Sequence, residues 1–297
     1  EINRLFGPPA FLAGLGTPEV PRRSSHRARK TVGATAPHRR IRPIKSQNED
    51  ICAGAESCIA AKLQKLAPLN DRQVTMLASL EKEQEEVSEG DFLAKENTRL
   101  DELFILKKGW VIATREEASG RAHIPTVYHP GDVIGLSDVA FTHTPNTIVA
   151  ATQLTICRFP REKLTDVLRQ SPRVSGLFLA LSMIDQALMN DRLIVSRRTD
   201  GYLRLVLFLL QTMSRLRLME PRLHDQFYCP LTQEQIGAAT GLSGVHVSRS
   251  IKKLLELNLI ERHKRFFRFA DEPGLNSLVG YVDRYESLDL SWLPEGD

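Results

Sequence analysis

The stretch Leu231-Thr-Gln-Glu-Gln-Ile-Gly-Ala-Ala-Thr-Gly-Leu-Ser-Gly-Val-His-Val-Ser-Arg-Ser-Ile-Lys-Lys-Leu-Leu255 decides the fold. Thr232 with Gln235 forms a capping box, in which each side chain takes up an otherwise unpaired backbone N–H, so a short helix starts there. Gly237 lacks a Cβ and leaves room for a second helix to cross closely, and Gly241 admits the left-handed backbone of a turn. Ser243 is placed to cap that second helix. Within it Val247, Ile251 and Leu254 or Leu255 recur on one face as core, while Val245, Ser248, Arg249 and Lys252 fall on the other. A helix with core on one side and donors on the other is what insertion into a DNA major groove requires.

Downstream, Leu259–Arg262 and Phe266–Phe269 read as two strands around His263-Lys264-Arg265. That is a wing, whose basic tip would lie over phosphates. The candidate DNA contacts are therefore Ser243, Gly244, Val245, His246, Ser248, Arg249, Lys252 and Lys253, with Thr232 and the wing residues Lys264 and Arg265.

Upstream, Tyr202–Leu218 has a helical pattern, with Asp200 a candidate N-cap and Arg197-Arg198-Thr199-Asp200-Gly201 a hinge. Between Ser171-Pro172 and that hinge, Leu177, Leu181, Ile184, Leu188 and Val195 make a coiled-coil-like stripe that Asp191 interrupts. Such a seam is expected to meet a second copy of the chain, while another face of the same helix lies on the protein's own core. Residues 86–159 differ: the short β-rich runs Leu103–Leu106, Val111–Thr114, Ile124–Tyr128, Ile148–Ala151 and Leu154–Phe159 are divided by turns such as Pro130-Gly131-Asp132. Many short strands so punctuated predict a small antiparallel roll. Residues 59–80 read as helix, with Leu63, Leu66, Val74 and Leu77 on one face.

The net charge of +4 over 297 residues conceals an asymmetry. Residues 1–46 hold ten Lys/Arg against two Glu, and residues 200–270 hold eleven basic against six acidic, so two separate regions attract a polyanion. The first, broken by prolines and without hydrophobic period, reads as disordered. It is either a nucleic-acid-binding arm or, as expected here, a stretch without a role. No run approaches a membrane span, and nothing has the order of a secretory signal, so a cytoplasmic protein is expected. Cys52, Cys58, Cys157 and Cys229 are too few for a secreted scaffold and read as thiols or metal ligands. With no nucleophile–base pair, Walker loop or zinc-ligand spacing, an enzyme is not expected.

At these residues the chain resembles the CRP/FNR family of transcription regulators over most of residues 58–285. Leu103-Phe-Ile-Leu-Lys-Lys-Gly-Trp-Val111, Gly120 and Pro130-Gly-Asp-Val-Ile-Gly135 look like its effector-binding roll. Residues 171–199 look like its dimerisation helix, and Ser248-Arg249 matches the FNR-type recognition helix, where Val245 replaces the usual glutamate. The resemblance implies an α+β fold: an N-terminal antiparallel β-roll or jelly roll, a long dimerisation helix and a C-terminal winged helix-turn-helix. The expected divisions are a basic segment (1–50), sensor roll (51–170), dimerisation helix (171–199), winged helix (200–270) and a C-terminal helix and tail (271–297), with a short helix near Leu275–Tyr285. Implied partners are double-stranded DNA, a second copy of the chain and, for an activator, RNA polymerase.

In cyclic-nucleotide members a glutamate follows the roll's glycine and an arginine stands eleven residues beyond it. Here Gly135 is followed by Leu136, Asn146 holds the arginine position beside Thr147, and Met189 and Asn190 stand where the purine would meet the dimer helix. A phosphate buried there would lack its charge partner, so the site is degenerate. FNR-like oxygen sensors supply an alternative, since Cys52 and Cys58 have their six-residue spacing and Cys157 resembles their last ligand. The first cysteine position falls at Glu49, beside Asp50, so an iron–sulfur cluster lacks a thiolate and no cofactor is expected.

Overall fold

The computed structural model describes Cys52 and residues 56–295; the segment read as disordered, residues 1–50, lies outside the described residues. The helix expected over 59–80 is two, Cys58–Gln64 (α1) and Asp71–Ala78 (α2). Pro68 lies in the break, and Asn70 restarts the helix by accepting from the Gln73 N–H at 2.9 Å while the Gln73 amide oxygen accepts from the Asn70 N–H.

Eight strands follow: Gln84–Val87 (β1), Phe92–Ala94 (β2), Glu102–Lys108 (β3), Val111–Glu116 (β4), Ala122–Tyr128 (β5), Val133–Ile134 (β6), Thr147–Ala150 (β7) and Leu154–Pro160 (β8). They form two antiparallel sheets, ordered β1-β8-β3-β6 and β2-β7-β4-β5. Alternation along β3 explains its unbroken apolar run. Phe104 and Leu106 enter the core between the sheets, while Leu103 and Ile105 enter a second core with α1. β4 divides likewise: Val111 and Ala113 face inward, and Ile112 faces the DNA-binding half.

The chain continues through Arg161–Gln170 (α3), Pro172–Ser196 (α4) and Gly201–Met219 (α5). It ends with Gln226–Tyr228 (β9), Gln233–Thr240 (α6), Gly244–Glu256 (α7), Ile260–His263 (β10), Phe266–Phe269 (β11) and Glu272–Val279 (α8). Asp200 stands at the N-cap position of α5, but its carboxylate takes no cap hydrogen bond. Buried nearly all round, α5 lies between the roll and the terminal helices.

The apolar stripe of α4 does not face outward as its coiled-coil spacing promised. Leu177, Ile184, Leu188 and Val195 are buried within the protomer and Leu181 is half-buried. Each fully buried side chain of this size contributes about 2 kcal/mol, enough to fix which face turns inward. A second apolar row lies outside: Leu179, Met183, Leu193 and Ile194 are 49%, 51%, 63% and 62% exposed. Exposed Gln186 and Asn190 complete a spacing of four, three, four and three from residue 179 to 193.

Two arginines join the roll to the helices. β5 is the edge of its sheet, and its outward carbonyls would otherwise lack donors. Arg192 of α4 donates to Pro125 O at 3.0 Å, and Arg215 of α5 donates to Val127 O at 3.1 Å while pairing with Asp185 of α4. Burial works against the Arg215 charge, but Asp185 and the neighbouring Tyr285 and Asp132 outweigh it and hold the guanidinium charged.

The terminal helix stops earlier than expected, because Gly280 takes the left-handed conformation at its C-cap. Beyond it the chain is a strap. Tyr281 and Ser214 share a hydrogen bond of 2.7 Å, Tyr285 accepts from Arg215, and Leu293 closes over Gly176 of α4.

The cysteines depart from expectation. Cys52 and Cys58 are joined in a disulfide, their Cα atoms 5.5 Å apart where the chain turns into α1, a separation that suits a bridge. They are therefore neither free thiols nor iron ligands. Cys157 is buried, its Sγ–H directed at Glu81 O, and burial pushes its thiol up to about 11. Among the described residues no group of three or more His, Cys, Asp or Glu is placed to hold a metal, and the bridge takes up two of the three candidate iron-ligand cysteines.

Candidate nucleic-acid interface

The interface is assembled on α6 and α7. The capping box forms as the sequence requires: Gln235 N–H donates to Thr232 Oγ1 at 3.1 Å, and Thr232 N–H donates to Gln235 Oε1 at 2.8 Å. Gly241 closes α6 with φ of 69°, and a Cβ at Gly237 would stand 2.5 Å from Leu242 O. Only glycine lets the turn pass so close. Ser243 caps α7, accepting from His246 N–H at 3.3 Å, and its hydroxyl also meets His246 Nδ1 at 2.7 Å.

On α7 the inward face is Val247, Ser250, Ile251 and Leu254, all buried. Leu255 is 39% exposed, so Leu254 is the core residue of that pair. Val245, His246, Ser248, Arg249, Lys252 and Lys253 are exposed, and Gly244 sits half-buried against Glu234 of α6. The lysines differ in their surroundings. Lys253 places its ammonium 3.7 Å from the centre of the Tyr202 ring on α5, a cation–π contact that turns it toward the helix core. Lys252 reaches Glu256 at 3.8 Å, a solvent-exposed pair one turn along that leaves the ammonium available. Arg249 is exposed on the outer face of α7.

The wing is antiparallel, pairing Ile260 with Phe269 and His263 with Phe266. Strand β10 includes His263, so the turn is narrower than expected, with Lys264 left-handed at φ 55° and exposed Arg265 beside it. A third strand, β9, joins this sheet through Phe227 opposite Phe267. Its run of three residues was too short to show in the sequence. Arg204 was also missed there: one of three arginines on α5, it donates to Gly241 O at 3.3 Å, in the turn that joins the two helices.

The six residues of the degenerate effector site do not surround one cavity. Leu136 lines a cavity of about 450 Å³ between the roll and α4, Asn146 lines another of about 810 Å³, and Met189 borders both. Gly135 is left-handed against Leu103, Thr147 Oγ1 accepts from Glu96 N–H at 3.1 Å, and Asn190 is exposed on the outer face of α4.

Comparison with known proteins follows the same division. The profile of the cyclic nucleotide-binding domain matches residues 84–171, and that of the Crp-like helix-turn-helix domain matches residues 203–278. The transcriptional regulatory protein btr of Bordetella pertussis is 25% identical over 228 residues, 77% of this chain and 94% of that protein. The anaerobic regulatory protein of Haemophilus influenzae is 20% identical over 236 residues, 80% of this chain and 91% of that protein. Among solved structures, FixK2 of Bradyrhizobium japonicum superposes with a TM-score of 0.58 at 20% identity, covering 66% of this chain and 96% of that one, a likeness of fold. No helix among the described residues is long and apolar enough to cross a membrane.

Proposed function

Because this chain belongs to the CRP/FNR family of DNA-binding transcription regulators, we propose that it binds a two-fold symmetric DNA site as a homodimer in the cytoplasm. The observation that carries this reading is the outer face of α7, where Arg249 and Lys252 stand exposed above a fully buried Val247 and Leu254. Arg249, with Ser248 and Val245, reads base edges in the major groove; His246, Gly244 and Ser243 approach the backbone at the helix N-terminus. Lys252, Thr232, Lys264 and Arg265 meet phosphates, while Lys253 supports α7 from the Tyr202 side. The outer row of α4 supplies the partner surface, and an activator would present the same dimer to RNA polymerase.

The divisions at 51–170, 171–199, 200–270 and 271–297 act as sensor, dimer helix, reading head and strap. Effector control passes from the roll to the reading head through Arg192 and Arg215, as a shift between two arrangements of the recognition helices. Cyclic AMP is not that effector, since Leu136 and Asn146 offer a phosphate no charge and face different cavities. The Cys52–Cys58 bridge favours a thiol–disulfide form of redox control over an iron cluster.

Selection from a pool of random duplexes tests the proposal. An inverted repeat should emerge whose half-sites lie about 34 Å apart, one turn of DNA. Enrichment of a single unpaired half-site, or none, overturns it.

A further inference from the structure

The outer row of α4 extends one position before Leu179. Gly176, Leu179, Met183, Gln186, Asn190 and Leu193 follow three, four, three, four and three residues apart, the a and d positions of a heptad. Leu179 and Leu193 hold d positions, and Asn190 holds an a position, where an asparagine specifies register between two parallel strands. None of the flanking positions, Ala180, Ser182, Ala187, Met189, Ile194 and Ser196, is charged, so two parallel copies meet no like-charge repulsion along the seam. The chemistry of this row therefore suits a second copy of the chain.

Gly176 has no side chain to give that row, and the C-terminal strap occupies the space instead. A Cβ at Gly176 would stand 2.5 Å from Leu293 Cδ2 and 3.7 Å from Trp292 Cζ3. The strap is anchored from within: Leu293 is buried, and Arg173 of α4 donates to Pro294 O at 2.8 Å. Trp292 is left 49% exposed beside the glycine. Residues three apart on a helix have Cβ atoms about 5–6 Å from each other, so the indole continues the row past Leu179.

We propose that Trp292 is part of the dimer interface, replacing the side chain that Gly176 lacks and meeting the partner copy beside Leu179. This rests on the proposed homodimer and adds to it a contact from the end of the chain. The strap starts at α8 of the reading head and is tied on its way to Ser214 and Asp191. The contact thus links the reading head to the partner copy by a path that bypasses the segment between α4 and α5.

Sedimentation equilibrium of the full chain without DNA, compared with Trp292→Ala, tests the contact. The dimer dissociation constant should rise about tenfold in the variant, the loss expected of an interface tryptophan, and Trp292→Phe should recover most of it. Thermal melts confirm that each variant folds. Fluorescence gives a second reading, because the chain has two tryptophans and the other, Trp110, is 1% exposed. Diluting the wild-type protein through its dissociation constant should move the emission to longer wavelength as Trp292 meets water, and Trp292→Phe should abolish that shift. A wild-type dimer matched in strength by Trp292→Ala, or an emission independent of concentration, overturns this contact and leaves the homodimer standing. A wild-type chain that is monomeric at micromolar concentration overturns both.

Discussion

Arg284 of the C-terminal strap forks onto Asp191 of α4, with Nε at 2.9 Å and Nη2 at 2.6 Å from the two carboxylate oxygens. The pair ties the end of the chain to the helix proposed for dimerisation. It also explains why a carboxylate interrupts the inner stripe of α4: its partner arrives from far along the sequence. A double-mutant cycle with Asp191→Ala and Arg284→Ala should give a coupling of about 1 kcal/mol, since the pair is two-pronged but partly solvated. Additive effects in thermal or urea unfolding would mean that the strap is held by its tyrosines and Leu293 alone.

The two faces of α4 separate folding from assembly. Met183→Glu and Leu193→Glu should yield folded monomers, because those side chains lie on the exposed row. Leu188→Ala should instead lower stability by about 2–5 kcal/mol, the cost of a cavity at a site now 3% exposed. Sedimentation velocity with parallel unfolding curves distinguishes the outcomes, and a wild-type chain that sediments as a monomer at micromolar concentration removes the dimer.

His129 is buried against Trp110, ring centres 4.4 Å apart, with Asp132, Lys62 and Arg215 around it. Burial, opposed by Asp132, pushes its pKa down to about 3 from an ordinary 6.5. The unfolded chain therefore takes up the proton first. Stability from neutral His129 is complete above about pH 6.5 and is lost as pH falls toward 3. At pH 5 the loss amounts to about 2 kcal/mol. His129→Phe should flatten the melting temperature against pH between 6.5 and 5; an unchanged slope would place the titration elsewhere.

The reading head was legible because its capping, turn and core signals lie within one short stretch. Thr232, Gly237, Gly241 and Val247 each perform locally what their chemistry implied. The strands of the roll with continuous apolar runs were legible too, whereas β1, Gln-Glu-Glu-Val, has one buried residue and no pattern to find. Helix α4 misled because it is apolar on two faces, and a three-and-four spacing fits both rows. Its inward face is chosen by roll and α5 residues distant in sequence. The disulfide depends on how the chain enters α1, which spacing alone does not specify.

Base reading by Arg249 is the central claim, and affinities for a selected site and its single-base variants test it most directly. Its guanidinium should hold O6 and N7 of one guanine per half-site, worth about 1–3 kcal/mol of discrimination. Lys252 should contribute a phosphate contact without sequence preference, so Lys252→Ala weakens all duplexes alike and reduces the salt slope by about one. For Arg249→Ala we expect weaker binding and lost discrimination at one base pair of each half-site, with the other positions read as before. Retention of the wild-type preference at every position would contradict the assignment of α7 as the recognition helix.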